Sequence, residues 1–170
     1  MKGAEDILLR ATLPADLPEI SALVAGLVPR HIGGTASAEG LRHLRSYMAP
    51  GAIGARLAGV VHPARNPALV ACAGRRIVGY GAVRDDTHVS QVYVAEDWHR
   101  RGIGSALLRA LVRAIRARHP AAVAVTLNAT PRAVEFYLRL GFAPLGPWEN
   151  WRTGVSLPMA LPHARFGSAG

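Results

Sequence analysis

Six consecutive residues, Arg100-Arg101-Gly102-Ile103-Gly104-Ser105, carry the most distinctive chemistry in the sequence. If a helix starts there, its first backbone N–H groups have no intrahelical acceptor, and the helix dipole places partial positive charge on them. Gly102 and Gly104 carry no Cβ, so a phosphate could come close to those N–H groups, with two arginines beside it. Taken alone, the same glycines would equally serve a tight strand-to-helix turn that binds nothing. The dinucleotide fingerprint is ruled out because Leu107 stands where its third glycine belongs, and no Gly-Lys-Ser/Thr of a phosphate-binding P-loop is present.

The elements that must position this loop are a strand before it and a helix after it. Residues 89–94 are rich in β-branched and aromatic types, with Val89, Gln91 and Tyr93 expected on one face and Ser90, Val92 and Val94 on the other. Residues 105–118 read as an amphipathic helix, with Ala106, Leu107, Ala110, Leu111, Ala114 and Ile115 on one side and Arg109, Arg113 and Arg116 on the other. His119 and Pro120 stop it, and residues 123–127 form another strand. Two strands bracketing a helix make a βαβ unit, which requires neighbouring parallel strands and a right-handed crossover.

The rest of the chain is organised around that unit. Residues 7–11 predict a strand. A helix follows through Leu17, Ile20, Leu23, Val24 and Leu27, with Asp16 as its cap, Pro18 in its first turn and Pro29 at its end. After a loop at residues 33–35, a second helix runs through Leu41, Leu44, Tyr47 and Met48 and is closed by Pro50 and Gly51. Residues 51–67 read as a short helix and a loop broken by glycines and prolines. Residues 68–73 and 77–83 predict a hairpin, and Asp85 and Asp86 a turn. Thr130 and Pro131 read as the cap and first turn of a helix through Ala133, Val134, Phe136, Tyr137 and Leu140 that stops at Gly141. Residues 142–145 and 155–161 are the last strands, with Pro158 pointing to an edge position for the second. The expectation is one domain over residues 1–161 with a loose tail at 162–170.

Composition narrows the function classes. The 170-residue chain carries a net charge of +9, almost wholly from arginine, with Lys2 the only lysine, so anionic partners are favoured. Phosphorylated cofactors, nucleic acid and acidic membrane surfaces all qualify. Cys72 is the only cysteine, which forbids an intramolecular disulfide and suits a cytoplasmic protein. The amino terminus lacks the apolar core of a signal peptide, and no apolar run approaches a membrane span. The seven histidines show no paired spacing for a metal, and Cys72 reads as a buried, inert thiol, so no metal cofactor is expected.

A second motif decides what the glycine loop is for. HRRGIGSALL, at residues 99–108, is followed after one helix and one strand by N-x-x-x-x-A-x-x-F-Y-x-x-x-G-F, at residues 128–142. This pair closely resembles the GNAT superfamily, the GCN5-related N-acetyltransferases. The resemblance covers most of the second half of the chain and implies an α/β (α+β) GNAT fold. That fold is a mixed, mostly antiparallel sheet flanked by helices and splayed at two parallel central strands, with acetyl coenzyme A in the splay.

The resemblance also implies roles. The backbone of Arg100, Arg101, Gly102, Ile103, Gly104 and Ser105 would wrap the cofactor's pyrophosphate. The backbone of Val92, Tyr93 and Val94 would bind the pantetheine arm and acyl carbonyl, Asn128 would contact that arm from the neighbouring strand, and Tyr137 would be the general acid near the sulfur. A phenol with a pKa near 10 suits a thiolate leaving group. His99 departs from the Gln or Arg that the family usually has three residues before the first motif glycine.

The implied activity is acetyl transfer to a primary amine of a small molecule or peptide by direct attack, with a non-catalytic acyl coenzyme A sensor as the alternative. The strand before the glycine loop offers Ser90 and Gln91 where the family often has a glutamate base. Glu96, Asp97, Asp85, Asp86, His88 and Glu149 are then the candidates by chemistry, beside a water relay to backbone carbonyls. Trp148 and Trp151 could wall the acceptor pocket, pack in the core or join two copies of the chain as a homodimer. The loop at residues 30–37 is a second candidate for the acceptor border. The arginines at 100, 101, 109, 113, 116 and 118 raise nucleic-acid binding, but aromatic interleaving and a reading motif are lacking, so a solvated helix face is the better account.

Overall fold

The computed structural model describes residues 6–32, 36–47, 66–151 and 153–163. Eight strands, β1 (Ile7–Ala11), β2 (Ala68–Ala73), β3 (Arg76–Arg84), β4 (His88–Val94), β5 (Ala124–Ala129), β6 (Ala143–Pro144), β7 (Glu149–Trp151) and β8 (Gly154–Pro162), form one sheet. Its order is β1-β2-β3-β4-β5-β8-β6, and β7 also pairs β8. All neighbours are antiparallel except β4 and β5. Four helices accompany it: α1 (Leu17–Ile32), α2 (Ala38–Tyr47), α3 (Ile103–Arg118) and α4 (Val134–Arg139). The expected mixed, mostly antiparallel architecture with one parallel pair is therefore present. The expectations for residues 33–35, Met48, Pro50, the stretch 51–65 and the tail beyond His163 lie outside the described residues.

Alternation along β3 assigns the two faces. Tyr80 and Ala82 pack with Ile20 and Val24 of α1, whereas Gly79, Gly81 and Val83 face α3. A Cβ on Gly81 would lie 2.8 Å from Leu111 Cδ1, and one on Gly79 would lie 3.0 Å from Leu107 Cδ1, so these glycines let α3 settle closely on the sheet. The buried stripe of α3 is Ile103, Leu107, Leu108, Leu111, Val112 and Ile115. Truncating a fully buried leucine such as Leu111 to alanine costs about 2–5 kcal/mol.

Several local expectations are corrected. Helix α1 continues past Pro29 to Ile32, although a proline there leaves one carbonyl of the preceding turn without an N–H donor. The Asp16 carboxylate does not cap α1: it accepts the Leu13 N–H at 2.7 Å and two Arg10 N–H groups at 2.6 and 2.8 Å, tying β1 to the turn before the helix. Thr130 makes no side-chain cap; Pro131–Ala133 is a 3₁₀ turn that leads into α4. Strand β8 is no edge, since it runs between β5 and the pair β6 and β7. Pro158 is accommodated because it falls where the outer neighbour changes from β6, opposite Met159, to β7, opposite Ser156, and its carbonyl accepts the Leu145 N–H at 2.9 Å.

The alternation expected along residues 89–94 also breaks. Ala82 pairs Gln91 and Val83 pairs Val89, so Ser90 is the extra residue of a β-bulge. Val89 and Val92 consequently pack into the same core on the α3 face, while Tyr93 packs with Tyr80 on the α1 face. The Ser90 hydroxyl donates to the Ala82 carbonyl at 3.2 Å and holds the bulge.

Candidate active site

The bulge lies where β4 leaves β5. Parallel pairing covers only His88 with Thr126 and Val89 with Leu127, and His88 Nδ1 lies 2.9 Å from Thr126 Oγ1 at that closed end. Burial, with Arg84 second and Asp85 opposing, holds His88 below its ordinary pKa. Beyond Val89 the strands diverge around a cleft of about 600 Å³. The inserted residue of the bulge thus sits where the sheet opens at its centre.

The loop into α3 closes one end of the cleft. Arg100 and Gly102 adopt left-handed backbone conformations, with φ of +62° and +79°. The first helical bond runs from the Ala106 N–H to the Gly102 carbonyl at 2.9 Å, so the N–H groups of Ile103, Gly104 and Ser105 form the open first turn. A Cβ at Gly104 would sit 3.5 Å from Phe136 and 3.7 Å from Val94, both of which line the cleft. His99 Nε2 lies 2.7 Å from the Val94 carbonyl oxygen, joining this loop to the end of β4.

Tyr137 enters from the opposite wall. It is 9% exposed and contacts Phe136 and Phe142 edge to face, with centroids 5.0 and 5.8 Å apart. Burial first, and Tyr93 second, push its phenol above the ordinary tyrosine range. It therefore stays protonated at neutral pH, as a proton donor must.

Val92, Tyr93, Val94, Arg100, Gly102, Ile103, Gly104, Ser105, Asn128 and Tyr137 all line the cleft. Arg101 does not; its guanidinium stacks 4.5 Å over the ring of buried Trp98. Arg132 and Arg139 also line the cleft and were missed, though with Phe136 they follow an i, i+4, i+7 helical spacing that could have found them.

The candidate bases lie elsewhere. Glu96 pairs with Arg30 at 2.7 Å, Asp97 with Arg76 at 3.0 Å and Asp85 with Arg84 at 3.4 Å. Asp86 is 4.0 Å from His119 Nε2, and Glu149 is exposed on β7. Trp148 and Trp151 are 46% and 58% exposed, which removes core packing, and the Trp151 Nε1–H donates to Ser156 Oγ at 3.0 Å. Neither ring lines the cleft.

Comparison with known proteins agrees with this geometry. The family model described as "Acetyltransferase (GNAT) domain" matches residues 33–161. A GCN5-related N-acetyltransferase from Rhodopseudomonas palustris superposes with a TM-score of 0.73 at 22% identity, covering 91% of this chain and 94% of the other. A PaiA N-acetyltransferase from Thermoplasma acidophilum, in complex with coenzyme A, gives 0.72 at 14% identity over 93% and 99% of the two chains. A spermidine N-acetyltransferase from Vibrio cholerae gives 0.67 at 16% identity over 95% and 96%. No curated protein matches the sequence. The chain belongs to the GNAT acetyltransferase family. Among the described residues, no helix is long and apolar enough to cross a membrane.

Proposed function

We propose that this protein transfers an acetyl group from acetyl coenzyme A to a primary amine of a small molecule or peptide by direct attack. The observation that carries the reading is the cleft between β4 and β5, which has the open first turn of α3 at one end and the protonated phenol of Tyr137 in its wall. The residues fit the cosubstrate: N–H groups at a helix start, two left-handed loop residues and Arg100 suit a pyrophosphate, and the β4 edge left unpaired after Val89 suits an amide-bearing arm. When bound, acetyl coenzyme A would supply an activated thioester carbonyl.

In this reading the backbone of residues 100–105 binds the pyrophosphate, with the Arg101 side chain serving the loop through Trp98. The backbone of Val92, Tyr93 and Val94 orients the pantetheine arm and acyl oxygen, although the Val94 carbonyl is shared with His99. Asn128 meets the arm from β5. Tyr137 gives its proton to the departing sulfur. Positioning of two reactants in one cleft contributes the remainder.

The position of the acids off the cleft favours a second reading, a non-catalytic acyl coenzyme A sensor. Titration calorimetry with acetyl coenzyme A, followed by a thiol-release assay over a panel of amines, separates the two. Binding with turnover is expected; binding without turnover on any amine would favour the sensor, and failure to bind would remove both.

A further inference from the structure

The proton balance of the cleft restricts the acceptor. Every acidic residue except Glu5 lies among the described residues, and none of those lines the cleft. Asp16 serves Arg10 and Leu13, Glu19 accepts the Ile77 N–H at 2.7 Å, Glu135 lies 3.5 Å from Arg139 outside the cleft, Asp85, Asp86, Glu96, Asp97 and Glu149 are placed as described above, and Asp6 and Glu39 are also outside the lining. The undescribed stretches contribute no other Asp or Glu.

What the cleft holds instead is a neutral acceptor. Gln91 lines it, and Gln91 Oε1 is buried with no hydrogen-bond partner among the described residues. A buried amide oxygen without a donor costs about 1–3 kcal/mol, so a bound N–H would be favoured there. The charged and titratable groups lining the cleft are Tyr93 on β4, His99 and Arg100 in the loop, Arg132 before α4, and Tyr137 and Arg139 on α4; Tyr80 stands opposite Tyr93 on β3. Three of these are permanent cations, which disfavour an ammonium beside them.

We propose that the acceptor is a weakly basic amine that enters already neutral, with Gln91 Oε1 accepting one of its N–H groups. The assignment rests on the acetyl-transfer reading above and deepens it. With a neutral amine the reaction is closed in protons: the N–C bond forms, the C–S bond breaks, nitrogen loses one proton and sulfur gains one, relayed through the Tyr137 hydroxyl. An ammonium brings one proton more, which needs a base. At neutral pH an amine with the basicity of a peptide α-amino group is uncharged roughly 300-fold more often than one with that of a lysine side chain.

Thiol-release kinetics with aniline, glycinamide and n-butylamine, three amines of increasing basicity, across about pH 6–9.5 test this. At pH 7 the two weak bases are expected to exceed n-butylamine in kcat/KM by more than about 100-fold, and the n-butylamine value to rise about tenfold per pH unit without a break. Gln91→Ala should raise KM for aniline several-fold with acetyl coenzyme A affinity unchanged, and Gln91→Glu, nearly the same shape, should flatten the n-butylamine profile by adding a base. A plateau for n-butylamine in the wild type near neutral pH, lost in His99→Gln, would show an enzymic base and overturn the proposal while leaving acetyl transfer intact. Acetyl coenzyme A binding with no acetylation of any of the three amines would overturn the acetyl-transfer reading itself.

Discussion

His99 Nε2 lies 2.7 Å from the carbonyl oxygen of Val94, so the loop that begins α3 is tied back to the strand that frames the cleft. An exposed hydrogen bond of this kind contributes about 0.5–1.5 kcal/mol. His99→Ala is therefore expected to weaken acetyl coenzyme A binding by roughly 2- to 10-fold, measured by calorimetry, with little change in melting temperature. Unchanged affinity would remove the loop-to-strand tie from the binding account.

Gly102 and Gly104 should respond differently to the same substitution. At Gly102, φ of +79° makes any side chain strained at about 1–2 kcal/mol, although a Cβ there would meet nothing within 4 Å. At Gly104 a Cβ finds ordinary contacts with Phe136 and Val94 but would occupy the cleft side of the first turn. Gly102→Ala should lower the melting temperature measurably, and Gly104→Ala should spare it. Gly102→Glu and Gly104→Glu should both abolish acetyl coenzyme A binding, and retained binding in both would refute the cradle.

Tyr137→Phe should lower the maximal rate by about 100-fold while the calorimetric affinity for acetyl coenzyme A is preserved. Because burial raises the phenol above the ordinary value near 10, the acid form persists through pH 9, and no alkaline loss of rate from this group is expected below that. A rate equal to wild type across this range would remove the acid role.

Stability should fall at both ends of the pH scale. Tyr80 and Tyr137 are both raised by burial, so their contribution is complete below the unfolded value near 10 and declines as the pH rises above it, where the unfolded chain releases protons that the folded chain keeps. Arg10 holds Asp16 below the usual carboxylate range, and burial lowers His88. Their contributions are present above the unfolded values, near 3.9 and 6.5, and decline as the pH falls below them. Urea midpoints should thus drop below pH 6 and again below pH 4, and Asp16→Asn should blunt the second drop. An unaltered acid limb in that variant would mean that another carboxylate dominates.

Much of the architecture was legible because it rests on local pattern. The helical spacing of Leu107, Leu111 and Ile115, the β-branched residues of β4 and β5, and the hairpin of β2 and β3 are set by side-chain periodicity and turn chemistry. Where local rules failed, a tertiary partner had outbid them. Asp16 found Arg10 and Leu13 instead of a helix terminus, and Pro158 was placed at a change of strand neighbour inside the sheet.

By itself, the sequence determined the βαβ unit, the glycine turn at the start of α3 and the motif pair that marks the family, since each depends on residues near one another along the chain. Only the tertiary structure decided that Ser90 bulges and moves Val89 onto the face of Val92, that Arg101 turns to Trp98, and that Glu96, Asp97, Asp85, Asp86 and Glu149 all stay off the opened sheet. Those outcomes follow from strand register and from packing between distant segments, which no local spacing encodes.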